Sequence, residues 1–465
     1  MENQSFSQNH KTKMFDDYLS SYLENKNAPS ISAGILKNGE IIWLNAKGIS
    51  DLEDNDNATI TSLYRIASIS KPITAVAIMQ LVEKGLIDLD KDARIYIPDF
   101  PEKKWKFTVR QLLNHTAGIR SYRDGEFHNK KYYSSISEAV KVFAYDSLNF
   151  EPGTKYEYTS LSYSLLALIV ENVTHQTFEK YLTLNIFNPA EMKNTRVDKQ
   201  QEIVPNRVKG YEKDNYRKIK NAPLADLSIK VAGGGLLSTA QDLLLFSKHL
   251  LEGKLIKKQS LEVMTKKTKL KNGKLIDYGL GFALEYENDT LKSISHTGGG
   301  TGFSTMLLIN PKLNLAAVHL INLSDRNLGL PAEDLLRMEM TTEIFVPTKT
   351  IADELMNVYL DNGIDSVITR LNNILSSSNK IFTINENEEI YFGKDLIALN
   401  KPSAAIFYYR DLLKKHPKSF NVIIALAEAY YKDNNHGLAL RYYRMAAQIN
   451  NNDPNVNSMI KKLSK

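Results

Sequence analysis

The chain has no cysteine in its 465 residues, which excludes disulfides, thiol nucleophiles and thiolate metal ligands together but leaves the compartment open. No run approaches the roughly 18 consecutive apolar residues of a membrane span. The N-terminus, MENQSFSQNHKTKMFDDYL, lacks the apolar stretch of a secretory signal. With Met1 as the natural start these absences imply a cytoplasmic protein; an export signal already removed would make it periplasmic or secreted. An excess of one charge is missing too. The 59 basic and 53 acidic side chains leave only +6, too little for a nucleic-acid surface, and the basic stretch 266–274 reads as a solvated loop.

What is present is an ordinary globular composition, 43% apolar and 24% charged, able to bury a core. At this length two or three units are expected. An amphipathic helix is expected around 13–24. The apolar runs 30–37 and 40–47 flank Asn38-Gly39, a two-residue hairpin signal. A helix is expected from Lys71 to a stop at Gly85, with Pro72 tolerated in its first turn. Helical character then dominates to about 261, and strands follow at 280–286, 303–310 and 315–322. Strands at both ends with helices between imply a sheet closed by distant segments. Past Val346-Pro347 the composition turns helical, which divides the chain into 1–346 and 347–465. In the second part Gly393, Ala405 and Tyr409 recur 34 residues later as Ala427, Ala439 and Tyr443, the tetratricopeptide period. Pro417 closes the first repeat, and 353–377 reads as one more helical pair, out of register.

Three short patterns carry chemistry. In RIASISKPITA, Ser68 and Lys71 are three apart at a helix start, so the amine can reach the hydroxyl. A serine needs such a base, and a helix N-terminus helps it. The spacing alone is common, recurring at Ser377 with Lys380 and at Ser458 with Lys461. The second pattern is Tyr158-Thr159-Ser160, ahead of an apolar helical run; on its own the tyrosine also fits a half-buried core position. The third is His296-Thr297-Gly298 in HTGGGTGF, ahead of a strand. Its glycines let backbone N–H groups approach a substrate, or make a tight turn.

In this order, and with LLNHTAGI at 112–119, GGGLLSTAQDLLLF at 233–246 and YGLGF at 278–282, the three patterns resemble the serine β-lactamase and penicillin-binding-protein superfamily, in its class C β-lactamase and DD-peptidase-like branch. The resemblance spans about 14–344. It implies an α+β fold, an antiparallel sheet flanked by helices with a mainly helical subdomain, followed here by an all-α tetratricopeptide-like tail. It further implies acylation of Ser68, with Lys71 and Tyr158 sharing the base work, and an oxyanion hole of the Ser68 and Gly299 backbone N–H groups. Ser160, His296, Thr297 and Gly298 would bind substrate. The chain departs from the S-D-N and K-T-G forms of class A enzymes by carrying Tyr-x-Ser and His-Thr-Gly. Lowering a tyrosine from about 10 to near 7 takes roughly 4 kcal/mol, and one ammonium at about 4 Å supplies that order at an effective dielectric of 20. Lys71 is therefore expected to make Tyr158 a usable base. His296 would orient Tyr158 or a substrate carboxylate, partly charged near neutral pH. Ser160 replaces an asparagine that contacts the substrate amide in relatives, which weighs against efficient β-lactam hydrolysis.

The expected function is a serine hydrolase of D-amino-acid-containing peptides or related amides and esters, without metal or organic cofactor. The alternatives are a β-lactamase, a family-VIII-like esterase, or an inactive penicillin-binding fold serving as an adaptor. The tail would bind a protein partner or a second copy of the chain; no nucleic acid and no membrane span is expected.

Overall fold

A computed structural model describes residues 2–341, 343–377 and 381–464, with side chains from residue 10 onward. The Asn38-Gly39 signal forms its turn: both residues have positive φ, 52° and 80°, the geometry a two-residue hairpin needs. They join strand β1 (Ser30–Lys37) to β2 (Glu40–Asp51). A short β3 (Asp56–Asn57) adds to that edge. From the far end of the sequence come β4 (Ala283–Glu287), β5 (Thr290–Gly300), β6 (Phe303–Asn310) and β7 (Leu315–Ile321). The sheet is antiparallel throughout, in the order β4-β5-β6-β7-β1-β2-β3. It closes where Ile31 pairs with Ile321.

Every residue of β7 is buried, as is β1 up to Leu36, which requires cover on both faces. On one face helix α5 (Pro331–Met340) sets Ala332 and Leu336 against Met306, Leu308 and Ala317. On the other lies helix α4 (Ala240–Leu251). A side chain at Gly34 would meet Leu244 at 2.8 Å, so glycine there lets α4 seat. Helix α1 (Glu2–Lys26) is longer than its periodicity indicated and packs Phe15 on Trp43.

Between the two ends of the sheet lies the mainly helical part. Helix α2 (Ser70–Glu83) runs through its core, ending before Gly85 at φ 70°, with helix α3 (Leu161–Thr174) beside it. The sequence reading placed His296-Thr297-Gly298 ahead of a strand; they lie inside β5, and the turn comes later, at Gly302 with φ 83°.

By compactness the chain forms two units. One comprises the segment through Leu23, Asn27–Glu212 and Asn221–Phe345; the other comprises Glu24–Lys26, Lys213–Lys220 and the segment from Val346. The second unit therefore includes two short pieces from before residue 347, which a single cut in sequence does not capture. Its helices are Glu386–Ala398, Pro402–Lys415, Phe420–Lys432, His436–Ile449 and Pro454–Leu463. The 34-residue repeat has a packing cause: a Cβ on Gly393 would lie 2.3 Å from the Tyr409 ring, so a small residue on one helix faces a tyrosine on the next. The helical pair expected at 353–377 is Ile351–Ser376, broken at Gly363, where φ is 77°. Among the described residues no helix is long and apolar enough to cross a membrane.

Candidate active site

Ser68 sits in a single 3₁₀ turn, Ala67–Ile69, directly before α2. Ala67 has φ 46°, a left-handed conformation that costs a non-glycine residue about 1–3 kcal/mol and is found at functional turns. The turn is clamped to β5 because Gly298 lets the two backbones touch. A Cβ there would fall 2.4 Å from the Ile66 carbonyl oxygen and 2.1 Å from Thr305 Oγ1. The Thr305 hydroxyl donates to Ile66 O at 3.0 Å, fastening strand to turn.

Lys71, in the first turn of α2, is fully buried. Its Nζ lies 3.1 Å from Ser68 Oγ, 3.0 Å from Ser160 Oγ and 2.6 Å from the Gly233 carbonyl oxygen. Among the described residues no carboxylate pairs with it. Burial, and then the nearby charge of Lys230, push its amine well below the usual lysine range. A neutral amine has two N–H donors and one lone pair. Gly233 O can only accept, and Ser160 Oγ can take the second N–H, which leaves the lone pair for the Ser68 proton. The glycine-rich segment after α3 builds this pocket: a side chain on Gly233 would strike Ser160 Cβ at 2.8 Å.

Tyr158 approaches from the other side, with the Lys71 Nζ 4.7 Å from its ring centroid. It keeps 37% of its surface exposed, yet the protein around its hydroxyl pushes the phenol well up, and hydrogen bonding toward Ser68 offsets this only in part. This corrects the expectation of a lowered tyrosine. Lys71 is shifted toward its neutral form by burial, so it supplies little positive charge to Tyr158.

His296 is buried in β5 with both ring nitrogens engaged. Nδ1 lies 2.7 Å from the Thr297 carbonyl oxygen, which can only accept, so Nδ1 carries the proton. Nε2 then accepts from the Tyr278 hydroxyl at 3.1 Å. Tyr278 in turn lies 3.3 Å from His115 Nε2, while His115 Nδ1 accepts the Thr159 N–H at 3.3 Å. One directional chain thus runs from Thr159 through His115, Tyr278 and His296 to Thr297, tying the second pattern to the third. Burial is the main cause that lowers His296 to about 3 and His115 well below its usual value, and whatever charge Lys71 carries acts in the same direction. Both rings are neutral at pH 7, in contrast to the partly charged His296 expected from sequence. His296 orients Tyr278, not Tyr158.

Ser68, Tyr158, Ser160, His296, Thr297 and Gly299 share one cleft of about 510 Å³. Gly298 does not reach it; the pleat turns it toward Ile66, between exposed Thr297 and Gly299. Of the other two Ser-x-x-Lys pairs, Ser458 and Lys461 are exposed on the last helix; Lys380 lies outside the described residues. Sequence reasoning missed Tyr122, Lys230, Gly233, His115 and Tyr278 as individuals, although the last three stand in segments it singled out. A separate cavity of about 560 Å³, reached by Tyr132, His175, Phe178 and Lys199, contains none of the Ser68 group.

The family model described as Beta-lactamase matches residues 15–339, and a Tetratricopeptide repeat model matches 396–463. Serine beta-lactamase-like protein LACTB, mitochondrial, of Bos taurus is 27% identical over 395 residues, covering 64% of this chain and 71% of that protein. Penicillin-binding protein 4* of Bacillus subtilis (strain 168) is 30% identical over 286 residues, covering 58% of this chain and 63% of that protein. Among solved structures, the D-amino acid amidase of Ochrobactrum anthropi SV3 complexed with D-phenylalanine superposes with a TM-score of 0.61 at 21% identity, over 72% of this chain and all of that one.

Proposed function

The chain belongs to the beta-lactamase family, and from that premise we propose that it is a serine hydrolase working through an acyl-enzyme on Ser68, with D-amino-acid-containing peptides or related amides and esters as substrates. The observation that carries this reading is the Lys71 amine, buried without a carboxylate and 3.1 Å from Ser68 Oγ. In this mechanism neutral Lys71 accepts the Ser68 proton as Oγ bonds to the substrate carbonyl carbon. The backbone N–H groups of Ser68 and Gly299 hold the resulting oxyanion, a contribution worth ~2.7–4 kcal/mol in such sites. Collapse breaks the bond to the leaving amine or alcohol. The leaving group takes its proton from the Tyr158 hydroxyl, which is replenished from the Lys71 ammonium. Water then attacks the ester, releasing the acid and restoring the Ser68 hydroxyl. Tyr158 acts as a neutral phenol throughout, consistent with its raised proton affinity. The D-amino-acid substrate class draws support from the D-amino acid amidase on which this chain superposes.

The test is labelling with a fluorophosphonate and a fluorescent penicillin side by side. Wild type should label with fluorophosphonate, Ser68→Ala should not, and Lys71→Arg, whose guanidinium cannot become neutral, should label about 10²-fold or more slowly. Full labelling of folded Ser68→Ala overturns the reading.

A further inference from the structure

Beside the nucleophile, behind Gly299, the cleft continues into a recess of about 30 Å³ bounded by Tyr122, Phe127, Lys230 and Gly233. Lys230 is only 6% exposed. Its Nζ donates to the Phe127 carbonyl at 2.8 Å and lies over the rings of Phe127, at 4.1 Å, and Tyr122, at 5.0 Å. Among the described residues it has no carboxylate partner, and its remaining N–H donors are unspoken for. The neighbouring cation is settled differently: Arg65, also on this wall, is held by Asp198 at 2.7 Å. Asp226, four residues before Lys230, is occupied by the Ser228 N–H and hydroxyl. The Tyr122 hydroxyl is buried in the same place, in no hydrogen bond of good geometry and with the Ser160 side chain beside it. A buried ammonium without a counter-charge is costly, and such groups in clefts mark sites where a ligand supplies the missing charge.

The position decides which part of the substrate does so. Tyr158, His296 and Thr297 line the open cleft but not the recess, whereas Lys230, Gly233 and Thr301 line the recess but not the open cleft. With the leaving group on the Tyr158 side, the acyl group points into the recess. Resting on the serine-hydrolase reading, we propose that Lys230, with the Tyr122 hydroxyl, receives a carboxylate on the acyl side of the substrate, so that the preferred substrates are amides and esters of short acidic acyl groups such as aspartyl. The small volume selects a short side chain, and a charge-assisted bond to a buried ammonium discriminates strongly against a neutral isostere. Burial, then the charge of Arg65, lower Lys230 to about 8, which leaves it mostly protonated at pH 7.

The experiment uses the full chain and peptide anilides alike except for the acyl-side residue, Asp or Asn, each in L and D form. Wild type should favour Asp by tenfold or more in kcat/KM, and Lys230→Met should bring the Asp-to-Asn ratio near one. Loss of the Lys230 charge also alters Lys71, but this affects both substrates alike and cancels in the ratio. A second measurement needs no variant: succinate, a small dicarboxylate, should slow fluorophosphonate labelling of wild-type Ser68, and its amide succinamide should not. An equal rate on Asp and Asn, a preference that survives in folded Lys230→Met, or equal protection by the two compounds overturns the assignment. Absence of fluorophosphonate labelling in wild type would instead overturn the serine-hydrolase reading itself.

Discussion

At the scale of single residues, Ser160 distinguishes what the sequence implied from what the structure places. By analogy with the asparagine of relatives it was expected to read the substrate amide. Its Oγ is instead 3.0 Å from Lys71, and its backbone and Cβ are pressed against Gly233. If Ser160 serves to hold Lys71, Ser160→Ala removes one hydrogen bond worth roughly 0.5–1.5 kcal/mol from the base whatever the substrate. The expected outcome is a two- to twelvefold fall in kcat/KM that is equal for a simple ester and an amide. A fall confined to the amide would restore the substrate-reading role. The pair Ser68 and Lys71 was legible because helical spacing alone brings them together. Gly233, more than 150 residues further on, reaches the same amine, and Lys230 acts on it by charge, through tertiary packing which no local period encodes.

At the scale of elements, the chain from Thr159 to Thr297 joins the start of α3 to β5 through two imidazoles and a phenol. Tyr278→Phe keeps the ring packing but leaves His115 Nε2–H and His296 Nε2 without their shared partner. Each buried polar group left unsatisfied costs about 1–3 kcal/mol, so with two of them urea unfolding should show a loss of about 2 kcal/mol or more, accompanied by slower fluorophosphonate labelling. A loss under about 0.5 kcal/mol would mean that the bonds add nothing to stability. Elements with a local signature were read well: the hairpin at Asn38-Gly39, strand β6 to the residue, and the repeated helices of the tail. The glycine-rich run after His296 misled because glycine marks both turns and close approaches. Here Gly298 serves approach, to Ile66, and Gly302 serves the turn. Loop 119–135 had no readable shape in sequence, since its form depends on long-range bonds. Arg120 binds Glu126 with two N–H groups, at 2.7 and 2.9 Å, and Asp146 at 2.5 Å, which places Tyr122 and Phe127 at the cleft.

At the scale of the whole molecule, buried neutral histidines make the first unit acid-sensitive. His319, in β7, accepts the Ala332 N–H at Nδ1, 3.0 Å away, so the proton sits on Nε2. Burial lowers it to about 3, and burial is likewise the main cause that lowers His296 and His115. For a base whose folded value lies below the unfolded value near 6.5, the unfolded chain binds protons that the native state refuses. The contribution is therefore complete above about pH 7 and is lost as pH falls from 6.5 toward 3. At pH 5 His296 and His319, each lowered to about 3, cost roughly 2 kcal/mol apiece. Carboxylates act lower: burial works to raise Glu126 and Asp146, but hydrogen bonds from Arg120 prevail and hold them low, so their contribution fades only below about pH 4. From pH 7 to 5 the loss thus comes from the histidines together with Lys71, whose buried amine also resists protonation in the native state. Both tryptophans, Trp43 and Trp105, lie in the first unit, and their fluorescence follows its unfolding alone. His319→Asn keeps an acceptor for the Ala332 N–H and removes the titrating ring. It should be less stable than wild type at pH 7, because a smaller side chain leaves a void, yet lose about 2 kcal/mol less between pH 7 and pH 5. An identical loss in the two proteins would show that His319 takes up its proton in the native state, and that the acid sensitivity arises elsewhere.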